Sequence, residues 1–158
     1  GGKLSIPEEK EMESLILATE PGDIYYEKGK EIEVCHEYVK NICKFFPKNF
    51  LAGKQVLIDT ANGATCSTSP EVFSRLGADV ICLHSGEGII NQKSGSEHPE
   101  DLIARITHTQ ACLGVAHDGD GDRAVFIDPS GKLINGDQIL GLLAKYAHQH
   151  HRLKEKAL

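Results

Sequence analysis

The spacing of apolar positions changes at about residue 51. Upstream it has the three- and four-residue period of helices. Residues 6–18 follow Ser5-x-x-Glu8, a capping-box pattern with Pro7 in the first turn, and carry Met12, Leu15 and Ile16 on one stripe. Pro21-Gly22 ends this helix, and residues 20–30 are polar and turn-rich, as a linker is. Residues 31–45 place Ile32, Cys35, Val39, Ile42, Cys43 and Phe46 on one face, and Pro47 stops this second helix. With no strand between them, the two helices either belong to a neighbouring domain or bridge onto the segment downstream of residue 50.

From Leu51 onward, strands alternate with helices. Gln55–Asp59 is a strand, with a turn at Ala61-Asn62-Gly63-Ala64. Thr68-Ser69-Pro70-Glu71 starts a helix that runs to about Leu76 and is capped by Gly77. Asp79–His84 is a second strand, Ser85–Gly95 a Gly-rich loop and Pro99–Thr107 a helix. Cys112–His117 is the third strand. Ala124–Asp128 returns as a strand, and Pro129-Ser130-Gly131 turns it into a hairpin with Lys132–Ile134. Gly136-Asp137 opens a last helix, about 137–150, with Ile139, Leu140, Leu142, Leu143 and Tyr146 expected to face the core. The pattern predicts an α/β fold: a Rossmann-like three-layer domain with a mainly parallel sheet, an antiparallel edge hairpin and helices on both faces. The expected organisation is a helical segment, 1–50, and an α/β domain, 51–158.

Ligands in such sheets sit at the carboxyl ends of the strands. Three loops fall there: Thr60–Ser67, Ser85–Gly95 and Asp118–Asp122. The last lies between two apolar strands and reads Asp118-Gly-Asp-Gly-Asp-Arg123. Three carboxylates this close repel one another, and their pKa values rise unless a cation removes the conflict. Residues i, i+2 and i+4 of an extended segment point to one side, so Asp118, Asp120 and Asp122 are candidate metal ligands. All-carboxylate ligation suits a hard ion, Mg²⁺ before Ca²⁺ or Mn²⁺. An EF-hand loop is rejected: its sixth position here is Arg123 rather than Gly, its twelfth Pro129 rather than Glu, and strands flank it. Arg123 either clamps a phosphate beside the ion or neutralises its Asp neighbours.

Composition narrows the setting. The chain has 158 residues and a net charge of −6, with no basic patch outside a short Lys-rich tail, so nucleic acid is not an expected partner. There is no apolar run of membrane-spanning length and no signal-peptide pattern, so no membrane partner is expected. Five cysteines without a C-x-x-C pair read as cytosolic usage and predict a cytoplasmic location; Cys82 and Cys112, inside apolar runs, are expected to be buried thiols. His148, His150 and His151 read as a solvated helix end.

Several segments together resemble the α-D-phosphohexomutase superfamily. Val115-Ala-His-Asp-Gly-Asp-Gly-Asp-Arg123 is similar to its metal loop, and Leu57-Ile-Asp-Thr-Ala-Asn-Gly-Ala64 to the strand and turn that open its second domain. Gly95-Ser-Glu-His-Pro-Glu100 resembles the G-S-T-H-P-E segment of the phosphoglucosamine mutase branch. Gly136-Asp137 matches the helix start after the metal loop, and Lys3-Leu4-Ser5 with Glu31–Phe46 resembles the end of domain 1 and the connecting helix. The resemblance implies interconversion of glucosamine 6-phosphate and glucosamine 1-phosphate, with Mg²⁺ on Asp118, Asp120 and Asp122, a phosphoserine in domain 1 and Arg123 contacting the phosphoryl group. The implied partners are a phosphosugar substrate and the remaining domains of a four-domain enzyme. The sequence departs from the pattern in having no T/A-S-H-N phosphoserine loop, no sugar-specificity loop and no R-x-S-G-T phosphate loop. Ile89-Ile90-Asn91 also stands where the branch has N-I-N. The chain is therefore expected to be domain 2 with a piece of domain 1, inactive alone. The alternatives are a phosphomannomutase or phosphoglucomutase of the same superfamily, or a non-catalytic metal-binding module. A haloacid-dehalogenase-like phosphatase is disfavoured, because Thr60-Ala61 follows Asp59 where Asp-x-Asp is needed.

Overall fold

The structure, a computed structural model, describes residues 3–20, 22 and 34–153. Most of the expected linker, residues 31–33 with Ile32, and residues 154–158 lie outside the described residues. The chain divides into two compact units, Gly1–Ile32 and Glu33–Leu158. The first contains helix α1, Ile6–Ala18. Its start is set locally: the Glu8 carboxylate accepts from the Ser5 backbone N–H at 2.7 Å and from the Ser5 hydroxyl at 2.6 Å. Met12, Leu15 and Ile16 are exposed, so the expected apolar stripe is not buried.

The second unit keeps the alternating pattern. Its helices are α2 (Cys35–Cys43), α3 (Ser69–Arg75), α4 (Glu100–Ile106) and α5 (Gly136–Gln149). Its strands are β1 (Gln55–Asp59), β2 (Asp79–Leu83), β3 (Ala111–His117), β4 (Ala124–Ile127) and β5 (Leu133–Ile134). They form one sheet in the order β2-β1-β3-β4-β5. β1 runs parallel to β2 and β3; β3/β4 and β4/β5 are antiparallel. No helix among the described residues is long and apolar enough to cross a membrane.

Side chains of β1 alternate between two cores, as the two-residue period of a strand dictates. Leu57 joins Leu83, Leu102, Ile106, Ala116 and Ile127. Val56 and Ile58 join Val115, with Phe73 of α3 packed against them. Thus α4 covers one face and α3 the other, and α2 lies on α3. Val39 of α2 is buried there, and His36 Nδ1 lies 3.2 Å from Arg75 Nη2, so α2 bridges onto the α/β unit.

Three expectations are corrected. Cys82 is exposed because β2 is an edge strand. Cys112 is exposed because the β1/β3 register passes from Gln55↔Ala111 to Val56↔Leu113, leaving it as the extra residue of a bulge. On α5, Leu140, Leu142, Leu143 and Tyr146 are exposed and Ile139 is half-buried. The helix forms through local chemistry, a reciprocal Asn135–Gln138 capping box, and no described element covers its apolar face.

This contrast sets a stability test. Leu102 is fully buried between α4 and the sheet, whereas Leu143 is 57% exposed. Leu102→Ala is expected to destabilise the α/β unit by about 2–5 kcal/mol in urea unfolding, and Leu143→Ala by about 0.5 kcal/mol or less. Equal losses would show that α5 packs as a core helix.

Candidate functional site

The segment between β3 and β4 is not extended, as the i, i+2, i+4 argument assumed. It is a tight reversal: Gly121 N–H donates to Asp118 O at 3.2 Å and Asp118 N–H to Arg123 O at 3.4 Å. Gly121 has φ +77°, and a Cβ there would lie 2.6 Å from Thr65 Cγ2, so a side chain is excluded on both counts. The reversal still brings the three carboxylates together. One oxygen from each of Asp118, Asp120 and Asp122 lies within 4.8 Å of the others, the one such acidic, His or Cys cluster among the described residues. Asp118 is buried; Asp120 and Asp122 face outward.

Arg123 holds Asp118 from two directions. Its backbone N–H donates to Oδ1 at 2.9 Å and its Nε–H to Oδ2 at 2.9 Å. Nε also lies 3.6 Å from Asp122 Oδ1, and Nη1 donates to Glu97 Oε1 at 3.0 Å. In this arrangement the guanidinium neutralises carboxylates, the second of its two expected roles. Burial pushes the Asp118 carboxyl up, but the Arg123 backbone and guanidinium donors, helped by hydrogen bonding with Asp120 and Asp122, outweigh it and hold it at about 2. Hydrogen bonding with Asp118 and the charge of Asp120 push Asp122 up. Contacts first with Glu97 and then with Asp118 raise Arg123 further. The loop thus keeps one inner carboxylate ionised while its outer members repel, a donor set that a hard divalent cation would relieve.

The three loops expected at the strand ends do meet, and a residue that sequence reasoning missed joins two of them. Asp59, fully buried at the end of β1, accepts from Ala61 N–H at 2.8 Å through Oδ1 and from Gly95 N–H at 3.0 Å through Oδ2. His84 Nδ1 lies 2.9 Å from the same Oδ2; since a carboxylate only accepts, that ring nitrogen carries the proton. Gly95 has φ +76°, and a Cβ there would strike His117 O, so β3 and the loop run in close contact. Ser96 N–H donates to His117 O at 2.9 Å, Ala64 N–H to Gly119 O at 2.8 Å and Asn91 N–H to Ala61 O at 3.0 Å. Ala61, Asn62, His84, Asn91 and Lys93 all have left-handed backbones, with φ of 45° to 60°. Behind the acidic loop, His117 Nε2 lies 2.9 Å from Ser69 Oγ, and burial pushes this ring's pKa down. The result is an open cleft of about 340 Å³ lined by Ile90, Asn91, Asp118, Gly119, Asp120 and Arg123. Asp59 lies in the Leu57–Ala64 strand and turn, but its partners His84 and Gly95, 25 and 36 residues away, left no signal. Glu97 lies in the Gly95–Glu100 segment, but its pairing with Arg123, 26 residues away, left no signal. The three terminal histidines form no metal cluster; His150 stacks on Tyr146 at 4.1 Å.

The family described as "Phosphoglucomutase/phosphomannomutase, alpha/beta/alpha domain II" matches residues 36–131. The chain belongs to this family of phosphohexomutases. Within it, similar sequences include phosphoglucosamine mutases. The protein of Moorella thermoacetica is 40% identical over 157 residues, an alignment that covers 94% of this chain and 35% of the relative. That of Campylobacter fetus is 36% identical over 168 residues, covering 100% of this chain and 38% of the relative. The chain thus spans about a third of the length of the curated relatives it matches. A solved phosphoglucomutase/phosphomannomutase family protein from Burkholderia thailandensis shares the fold, with TM-score 0.66, 24% identity and coverage of 77% of this chain and 27% of that one.

Two measurements test this geometry. Asp59→Asn places an amide NH₂ among three donors, and is expected to cost about 2–4 kcal/mol in urea unfolding; a loss under about 0.5 kcal/mol would mean the carboxylate is not the junction of these loops. For Asp118, the folded value of about 2 lies below the ordinary 3.8, so its stabilising contribution is complete above about pH 4 and is lost as pH falls toward 2. The raised Asp122 works in the opposite direction. Without divalent ions, stability is expected to fall less between about pH 4.5 and 2.5 in Asp118→Asn than in the wild type; equal slopes would contradict an ionised, Arg-held Asp118.

Proposed function

We propose that this chain is the metal-holding domain of a phosphoglucosamine mutase, which interconverts glucosamine 6-phosphate and glucosamine 1-phosphate by Mg²⁺-assisted phosphoryl transfer through a phosphoserine. The observation that carries the reading is the convergence of Asp118, Asp120 and Asp122 within 4.8 Å at the carboxyl ends of the parallel strands β1, β2 and β3. Oxygens on opposite sides of a Mg²⁺ ion are about 4.2 Å apart. Asp120 and Asp122 are exposed, so their side chains are free to close the difference. The donor set therefore fits Mg²⁺. When bound, the ion would supply Lewis-acid polarisation of a phosphoryl oxygen and offset charge in the transition state.

The chain's own residues have distinct parts in this reading. Asp118, held ionised by Arg123, is the fixed ligand, and the outward Asp120 and Asp122 complete the set. Arg123 is the phosphoryl contact: Nη2 has no partner among the described residues, and its planar fork suits phosphate. Residues 1–50 are the end of the preceding domain with its connecting helix, and 51–158 the metal-holding domain. The phosphoserine and the sugar site belong to the other domains of a cytoplasmic parent enzyme, its substrate a phosphosugar. The choice of sugar rests on the relatives' names, since the structural likeness at 24% identity carries the fold alone.

The test is a Mg²⁺ titration of this chain and of Asp120→Asn, followed by ¹H–¹⁵N NMR. Saturable shifts confined to residues 118–123 and their neighbours, lost in the variant, are expected. Wild-type resonances unmoved up to about 50 mM Mg²⁺ would sink the metal reading, because even an incomplete carboxylate set binds at such concentrations. The same samples are expected to show no turnover of glucosamine 6-phosphate.

A further inference from the structure

Arg123 is shared between two carboxylates that lie far apart in sequence, and only one of them belongs to the acidic loop. The other is Glu97, whose Oε1 accepts from Nη1 at 3.0 Å. The segment that carries Glu97 is not a loose surface stretch. Gly95 N–H is fixed to Asp59, Ser96 N–H to His117 O, and His98 N–H donates to Gly95 O at 3.1 Å. Glu97 is therefore presented to Arg123 by a clamped backbone, on the same side of the strand ends as Asp118. The contact itself is weak: the two side chains are 58% and 59% exposed, and pairs so placed contribute little in water.

A clamped but weak partner has a chemical consequence. A phosphoryl group that took the open Nη2 and forked onto Nη1 would share Nη1 with Glu97, and would bring its negative charge beside the Glu97 carboxylate. Every other acidic group near Arg123 is a candidate ligand whose charge a cation offsets; Glu97 is outside that cluster. We infer that Glu97 is an affinity-determining residue that competes with phosphoryl groups for Arg123, so that phosphate binding must displace it. The inference rests on the reading of Arg123 as the phosphoryl contact. Glu97 acts through Arg123 and is a positioning residue, not a ligand.

The experiment titrates inorganic phosphate into the chain in excess Mg²⁺, with the Arg123 side-chain Nε–Hε resonance as the readout, for wild type, Glu97→Gln and Glu97→Thr. Removing one like charge at an exposed site is expected to tighten phosphate binding about five- to tenfold in both variants. Arg123→Lys in the Glu97→Gln background, read from the backbone amides of residues 118–123 because the guanidinium resonance is gone, is expected to reverse the gain, since Lys lacks the fork. Equal phosphate affinities in wild type and both variants, with the Arg123 resonance responding in each, would overturn the competition while leaving Arg123 as the phosphoryl contact. An Arg123 resonance that ignores phosphate in all three chains, although Mg²⁺ shifts residues 118–123, would overturn the contact and the competition together. Weaker binding in Glu97→Gln would overturn the competition in the opposite sense, with Glu97 holding Arg123 in its productive pose.

Discussion

A single buried carboxylate fixes the carboxyl ends of this sheet. Asp59 is removed from water entirely, and a charge so placed is tolerated only when its oxygens are hydrogen-bonded. Its three donors come from the turn after β1, from the end of β2 and from the start of the 95–97 segment. The left-handed backbones at Ala61 and His84 place two of those donors, and such conformations cost about 1–3 kcal/mol each for non-glycine residues. The network must hold them. From Gly95 the constraint passes to His117 O through Ser96, and so to the strand that enters the acidic loop. The positions of Glu97, Arg123 and Asp118 thus depend on a residue that touches none of the three.

The second constraint is electrostatic, and it explains why the loop is divided into an inner and an outer part. Three carboxylates within 4.8 Å cannot all be stabilised by one guanidinium. Arg123 commits two donors to Asp118 and only a long contact to Asp122. Asp118 is accordingly held below the usual carboxylate range, and Asp122 is pushed the other way. The imbalance leaves negative charge on the exposed side of the loop, facing the cleft. A cation arriving from solvent would meet its outer carboxylates first and the preorganised inner one last.

Range along the chain decided how much was legible in the sequence. β1, β2 and β3 were read almost to the residue, because their apolar runs and flanking Gly and Pro are local signals. The acidic trio was legible for the same reason, since its members lie within five residues. The Asp59–Gly95 and Arg123–Glu97 bonds span 36 and 26 residues and leave no periodic trace. Apolar character misled where a residue's surroundings depend on pairing: Cys82 on an edge strand and Cys112 at a bulge both sit in apolar runs yet reach solvent. The stripe on α5 was read correctly as an apolar face and wrongly as a core face. A stripe says that a helix suits an apolar partner, not that the partner lies in the same domain, and the family match ends at residue 131, before α5 begins.

The openness of the site is itself informative about how such a domain would act. Mg²⁺ favours six oxygen ligands in near-octahedral order and keeps water where protein supplies none. Three carboxylates, two of them exposed, leave about half of that shell for other groups. The scaffold behind them is the reverse of open: β3 is buried between two strands, and Gly119 and Gly121 leave no room for side chains against Asn91 and Thr65. A closely packed back and an exposed front suit a half-site whose remaining ligands, and a phosphoryl group between them, approach from the open side.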